Sequence, residues 1–257
     1  MPRQARKISE SGIYHVVFRG VNHCHLFEEH EDFVRFLGIF ETVKAGLAFE
    51  VPAFCLMSNH AHLLIKERSP GDIIIAMKRL LSPYAFWFNK KYQRSGALLA
   101  NRYRSECVDS DGYLLTLVRY IHQNPLAAGI VKDLGAYEYS SYRDYAGAEG
   151  GLVDAGLVLG MFASDEAAAK RLFVEFNEAE EQRDCSLPER AGKSEGQARA
   201  AVIDALGGGQ PSALCGLKRQ ERDAILMGLR RQGFSIRQLE RVTGVSRGII
   251  ARAAKAD

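Results

Sequence analysis

The chain has 257 residues, 47% of them hydrophobic and 25% charged. This is ordinary globular composition, and it excludes a collagen-like, coiled-coil or wholly disordered protein. The formal charge is only +3, but residues 1–150 hold 18 basic and 16 acidic side chains, 151–210 hold 6 and 11, and 211–257 hold 10 and 4.

In chain order, residues 13–19 (IYHVVFR) are β-branched and aromatic and read as a strand. Gly20, Asn22 and the stretch His23-Cys24-His25 read as a loop. Across 28–45, Phe33, Phe36, Leu37, Phe40 and Val43 recur at three- and four-residue spacing. That spacing predicts an amphipathic helix with acids in its first turn, ended by Gly46. Residues 49–57 and 61–66 are the second and third strands, about a tight turn at Ser58-Asn59. Ile73, Ile74, Met77, Leu80, Leu81, Tyr84 and Phe88 mark a long helix over 70–92, which Pro83 should kink. Residues 102–108 supply a fourth strand. Asp109 or Ser110 then caps a helix over 111–123, which Asn124-Pro125 should stop, because a pre-proline residue is pushed out of the α region.

The order β-α-β-β-α-β-α predicts an α+β, ferredoxin-like fold: an antiparallel sheet with helices on one face and an added helix. The predicted organisation is a first domain over 1–150, tyrosine-rich and irregular from 126. An acidic helical segment and a Gly/Ser/Pro-rich linker follow over 151–210. A small all-α unit occupies 211–257. In that unit a helix over 218–231 is closed by Gly233, and Ser235 caps a second helix before a turn at Gly244. Ser246 caps a third carrying Arg247, Arg252 and Lys255. Short helices joined around a glycine are the helix-turn-helix pattern, read as a DNA-contacting unit or as a packing domain.

Three features bear on chemistry and partners. Residues 66–104 hold 9 basic side chains against 2 acidic, and basic clusters suit a polyanion. No run of about 18 apolar residues exists, and residues 1–10 are basic with no apolar signal core behind them. Together with five scattered cysteines (Cys24, Cys55, Cys107, Cys185 and Cys215), this predicts a cytoplasmic protein with reduced thiols and no membrane partner.

His60 and His62 stand at i and i+2 of a strand, so both imidazoles emerge on one face. That suits two ligands of one metal ion, or two core histidines. His23 and His25 form a rival pair in a loop that enforces no common face. The remaining histidines are His15, His30 and His122, so histidine-metal chemistry belongs to the first 125 residues. Tyr120 has Asn124 at i+4. A phenol with a pKa near ~10 is a weak nucleophile unless a metal, a base or a stabilised transition state assists it. With ten tyrosines in the chain, the residues alone do not single this one out.

The segments CLMSNHAHLLIK, RSGALLANRYRSECVDSDGYLLTLVRYIHQNPLAAGIV and YEYSSYRDY resemble the single-tyrosine transposases of the insertion-sequence 200/605 type, nearest the REP-associated branch, over about residues 8–146. The resemblance implies metal-dependent cleavage and rejoining of single-stranded DNA. Tyr120 would be the nucleophile, forming a 5′-phosphotyrosine. His60 and His62 would be the paired histidines of the HUH motif, with Asn124 as third ligand of Mg²⁺ or Mn²⁺. Relatives of the insertion-sequence branch usually carry Gln at the third position. The resemblance also implies hairpin palindromes as substrate, no nucleotide cofactor, a nucleoid-associated monomer or homodimer, and strand binding by Lys78, Arg79, Lys90, Lys91, Arg94, Arg102, Tyr103 and Arg104. Arg247 and Arg252 would add contacts from the C-terminal unit. Phe86 and Trp87 are expected mainly in the core. The rival readings are a regulator that binds DNA without cutting it, and a metallohydrolase built on the histidine pair.

Overall fold

The computed structural model describes residues 7–147, 152–179, 185 and 195–253. They form two compact units, divided between Leu187 and Pro188. The first unit runs β1 (Ile13–Arg19), α1 (His30–Leu47), β2 (Glu50–Met57), β3 (His60–Lys66), α2 (Asp72–Lys91), β4 (Arg104–Cys107) and α3 (Asp111–Ala127). The strands make one sheet in the order β2-β3-β1-β4, with every pairing antiparallel. This is the expected ferredoxin-like arrangement.

The two-residue period of the strands sorts the core into two layers. Tyr14, Val16 and Phe18 of β1, with Ala61, Leu63 and Ile65 of β3, are buried under Phe36 and Phe40 of α1 and Leu80, Tyr84 and Phe88 of α2. Each such fully buried phenylalanine contributes on the order of 2 kcal/mol. Ile13 and Leu64 go to the other face, against Leu114, Leu117, Val118 and Ile121 of α3. So α1 and α2 share one face as expected, and the added helix covers the opposite face. His15, His60 and His62 share the parity of Ile13 and Leu64 and therefore face α3.

Local punctuation was overridden at two helix ends. α1 runs through Gly46 and is closed by Ala48 in the left-handed region (φ 52°), because Leu47 still packs on the core. Pro83 sits within α2 on its solvent side, and the helix spans it. α3 does not stop at Asn124: it carries Pro125 inside and ends at Ala127. Ser110, rather than Asp109, caps its start, accepting from the Tyr113 N–H. The steric bias of a pre-proline residue is outweighed here by burial of Ile121 and Pro125 and by the contacts that hold the helix's last turns.

The tyrosine-rich stretch covers the outer edge of β2, an edge that would otherwise invite strand pairing. Leu56 N–H donates to the Tyr139 carbonyl, and the Tyr137 hydroxyl donates to the Leu56 carbonyl at 2.7 Å. α4 (Tyr142–Tyr145), α5 (Gly156–Leu159) and α6 (Glu166–Glu178) then pack around Phe173 beside α3. The acidic segment is thus part of the first unit, and the units part at 187/188 rather than at 150 and 210. The expected linker is also corrected in part, because α7 (Glu195–Ala205) buries Ala198 and Val202 in the second unit. That unit continues with α8 (Arg219–Arg231), α9 (Ile236–Thr243) and α10 (Arg247–Ala253). Ser235 and Gln238 form a capping box on α9, and Gly244 ends it at φ 76°. Lys255 lies outside the described residues.

Candidate functional site

Register decides what surrounds the histidine pair. β1 sets Arg19 opposite His60 and Val17 opposite His62. His15, on the same face of β1, places its Nε2 3.0 Å from His62 Nδ1, with the two rings stacked at 5.3 Å. The His60 and His62 rings lie 5.1 Å apart. Tyr120 of α3 presents its ring edge-on to His62 at 5.5 Å and to His15 at 6.4 Å between centroids. One turn on, the Asn124 amide donates from Nδ2 to the Tyr120 carbonyl at 2.7 Å, and its side chain also hydrogen-bonds His60. Continuation of α3 through Pro125 makes this i, i+4 pair a firm one.

The second helical face of α3 is anchored away from the site. His122, fully buried, contacts Asn177 Oδ1 through Nδ1 (3.0 Å) and Ser141 Oγ through Nε2 (2.7 Å). Gln123 Nε2 donates to the Asn177 and Ala179 carbonyls at the end of α6. The Arg119 guanidinium lies 4.1 Å over the Phe176 ring. These contacts hold Tyr120 against the histidines.

Electrostatics keep the imidazoles neutral. Burial holds His15 and His60 down to about 4, with the Arg19 charge reinforcing the effect on His60. Burial, then the neighbouring His15, His60 and Arg19, keeps His62 well below its ordinary value. Neutral imidazoles offer lone pairs to a cation. Asn59 Oδ1, 2.7 Å from His60 Nδ1, accepts a hydrogen bond from that nitrogen and leaves the lone pair on Nε2. Two imidazole nitrogens and an amide oxygen fit a divalent cation and leave coordination positions open. Among the described residues, no three His, Cys, Asp or Glu side chains form a metal cage. Imidazole nitrogen by itself favours Zn²⁺ or Ni²⁺ over Mg²⁺ or Mn²⁺.

The structure therefore gathers Tyr120, His60, His62 and Asn124, and it adds Arg19 and His15, which sequence reasoning passed over. The only signal for Arg19 was strand register. Arg104 also reaches this face, since it pairs with Val17. Other residues expected to bind a strand lie elsewhere. Lys78, Arg79 and Lys90 are exposed on α2, across the sheet from the histidines. Lys91, expected as a phosphate ligand, is tied to Glu29, Glu31 and Asp32 at 2.6, 2.8 and 2.7 Å. Arg94 sits over the Phe88 ring and donates to Cys24 Sγ, Arg102 is exposed, and Tyr103 packs on the α1–α2 core. Phe86 is 74% exposed, against expectation, while Trp87 is half-buried beneath Lys91 and Arg35. His25 pairs with Glu28, and His23 is exposed; a β-carbon on Gly20 would fall 2.0 Å from the Cys24 carbonyl oxygen, so this loop closes only on glycine. In the second unit Arg247 pairs with Glu240, and Arg252 donates to the Gly248 carbonyl.

Residues 9–124 match the family model of the IS200-like transposases. The match takes in all four strands, both histidines and Tyr120, and it ends on Asn124; α4 to α10 lie beyond it. No curated protein matches the sequence. A solved REP-associated tyrosine transposase bound to a REP hairpin is 17% identical, with a TM-score of 0.49, over 60% of this chain and 94% of that one.

Proposed function

We propose that the first unit is an IS200-like transposase domain that cuts and rejoins single-stranded DNA through Tyr120, on hairpin-forming palindromes. The observation that carries this reading is the convergence of one hydroxyl nucleophile, two neutral imidazoles and an amide on a single face of the sheet.

The Tyr120 oxygen attacks a phosphodiester phosphorus, forming a P–O(Tyr) bond as the bond to the 3′ oxygen breaks. The phenol loses its proton and the 3′ oxygen gains one, leaving a free 3′-OH and a 5′-phosphotyrosine. Bond energy is conserved, so the reverse attack by a 3′-OH rejoins strands without a nucleotide cofactor. Deprotonating an ordinary phenol at pH 7 costs about 4 kcal/mol. The Arg19 guanidinium beside the histidines lowers that cost and stabilises the charged phosphate. His60, His62 and Asn124 would hold Mg²⁺ or Mn²⁺, which when bound neutralises the non-bridging oxygens and orients the phosphate. His15 holds the His62 ring through its Nδ1. Arg104, on the same face, suits the flanking phosphates.

The test is a denaturing gel with labelled hairpin oligonucleotides and Mn²⁺ or Mg²⁺. Wild-type protein should retain label covalently; Tyr120→Phe, His60→Ala/His62→Ala and chelated samples should not. Retained binding with no adduct or cleavage across a broad hairpin set would refute the reading in favour of a non-cutting DNA-binding regulator.

A further inference from the structure

The second unit lies outside the family match and takes no part in the chemistry above. Its α9–turn–α10 segment buries Leu239, Thr243, Val245, Ile250 and Ala253, each no more than 3% exposed. That spacing folds two short helices across one another about Gly244, whose φ of 76° an L side chain would strain. The opposite side of α10 faces solvent and carries Arg247, Gly248 and Arg252. A β-carbon on Gly248 would meet nothing within 4 Å, so packing does not require this glycine. What it does provide is bare helix backbone between two arginines, allowing close approach to a partner surface.

Charge and apolar content name the partner. Residues 211–257 hold 10 basic and 4 acidic side chains. Among the described residues, every exposed large hydrophobic precedes residue 173, so this unit shows no apolar patch for a protein partner. A basic, patch-free surface around a short helix with one exposed face fits a polyanion with a groove. We propose that α10 reads the major groove of double-stranded DNA, a second nucleic-acid site whose substrate differs in form from the single strand assigned to the first unit. A helix is about 10–12 Å across with its side chains, and the major groove is about 12 Å wide. Arg247 exchanges its Glu240 partner for a base edge or phosphate. Arg237 on α9 and Arg231 on α8 belong to the same basic unit and suit the flanking backbone.

The test uses the full chain and a library of random 20-base-pair duplexes. Wild-type protein should enrich one sequence and bind it at least 100-fold tighter than its scrambled copy. Gly248→Glu should lose at least tenfold of that affinity, and so should Arg247→Ala/Arg252→Ala. A glutamate in the first turn of α10 relieves glycine's entropy and suits the helix dipole, so Gly248→Glu should melt no lower than wild type. Equal binding to selected and scrambled duplexes, or undiminished binding by Gly248→Glu, would overturn the proposal. Hairpin cleavage is scored separately, so failure of the chemistry proposed for Tyr120 would not be mistaken for failure here.

Discussion

Replacing His15 isolates the orientation of the proposed cation site from its ligands. His15 Nε2 and His62 Nδ1 are 3.0 Å apart and share one proton, while His15 Nδ1 is buried with no hydrogen-bond partner among the described residues. For His62 to turn a lone pair toward Tyr120 from Nε2, its proton must sit on Nδ1 and be accepted by His15. His15→Leu removes that acceptor and leaves a buried N–H unpaired at a cost of about 1–3 kcal/mol. The proton then shifts to Nε2, the coordinating position. Partners of this kind typically carry 10- to 100-fold in metal affinity. Mn²⁺ binding to the protein without DNA, followed by loss of the free-ion paramagnetic resonance signal, should therefore weaken by about 10- to 100-fold. His15→Gln, which restores a carbonyl acceptor, should recover most of it. His62→Ala should bind still more weakly. If His15→Leu bound Mn²⁺ within twofold of wild type while His62→Ala lost it, the argument from the shared proton would be wrong.

Two further outcomes follow from single residues. Asn124→Ala loses the Nδ2 bond to the Tyr120 carbonyl but gains helix propensity, so its thermal stability should stay within about 1 kcal/mol of wild type; its Mn²⁺ affinity should nonetheless fall at least tenfold, and an unchanged titration would remove Asn124 from the ligand set. Burial pushes the Asp32 carboxyl up, but Lys91, the Glu28 and Glu29 N–H groups and the Tyr92 hydroxyl outweigh it and hold it below its ordinary value. A depressed carboxylate contributes stability above its unfolded pKa near 3.8 that is lost as pH falls through the folded value. Asp32→Ala should cost about 1–3 kcal/mol near neutrality, because it leaves the Glu28 and Glu29 N–H groups and the Tyr92 hydroxyl without their acceptor and removes one of the three carboxylates around Lys91, and it should flatten the acid limb of a denaturant-stability profile below pH 4. An acid limb identical to wild type would count against that network.

Local periodicity carried much of this protein's plan. Alternation in β1 and β3 placed Tyr14, Val16 and Phe18 on one face and the histidines on the other, and the turn of a helix set Tyr120 one turn before Asn124. These relations need only two or four residues of chain, so a sequence displays them. Helix ends were less legible: α3 passes Pro125 because tertiary contacts from Ser141, Phe176 and Asn177 outweigh a local steric bias. Arg19 and His15 joined the site only through the pairing of β1 with β3, residues more than 40 positions apart whose register no local signal specifies. The same limit governed the basic residues. Lys91 and Arg104 look alike in sequence, yet one is enclosed by three carboxylates and the other stands on the histidine face. Which cation is occupied and which faces the chemistry depends on what the fold brings alongside, and that is a property of long-range packing alone.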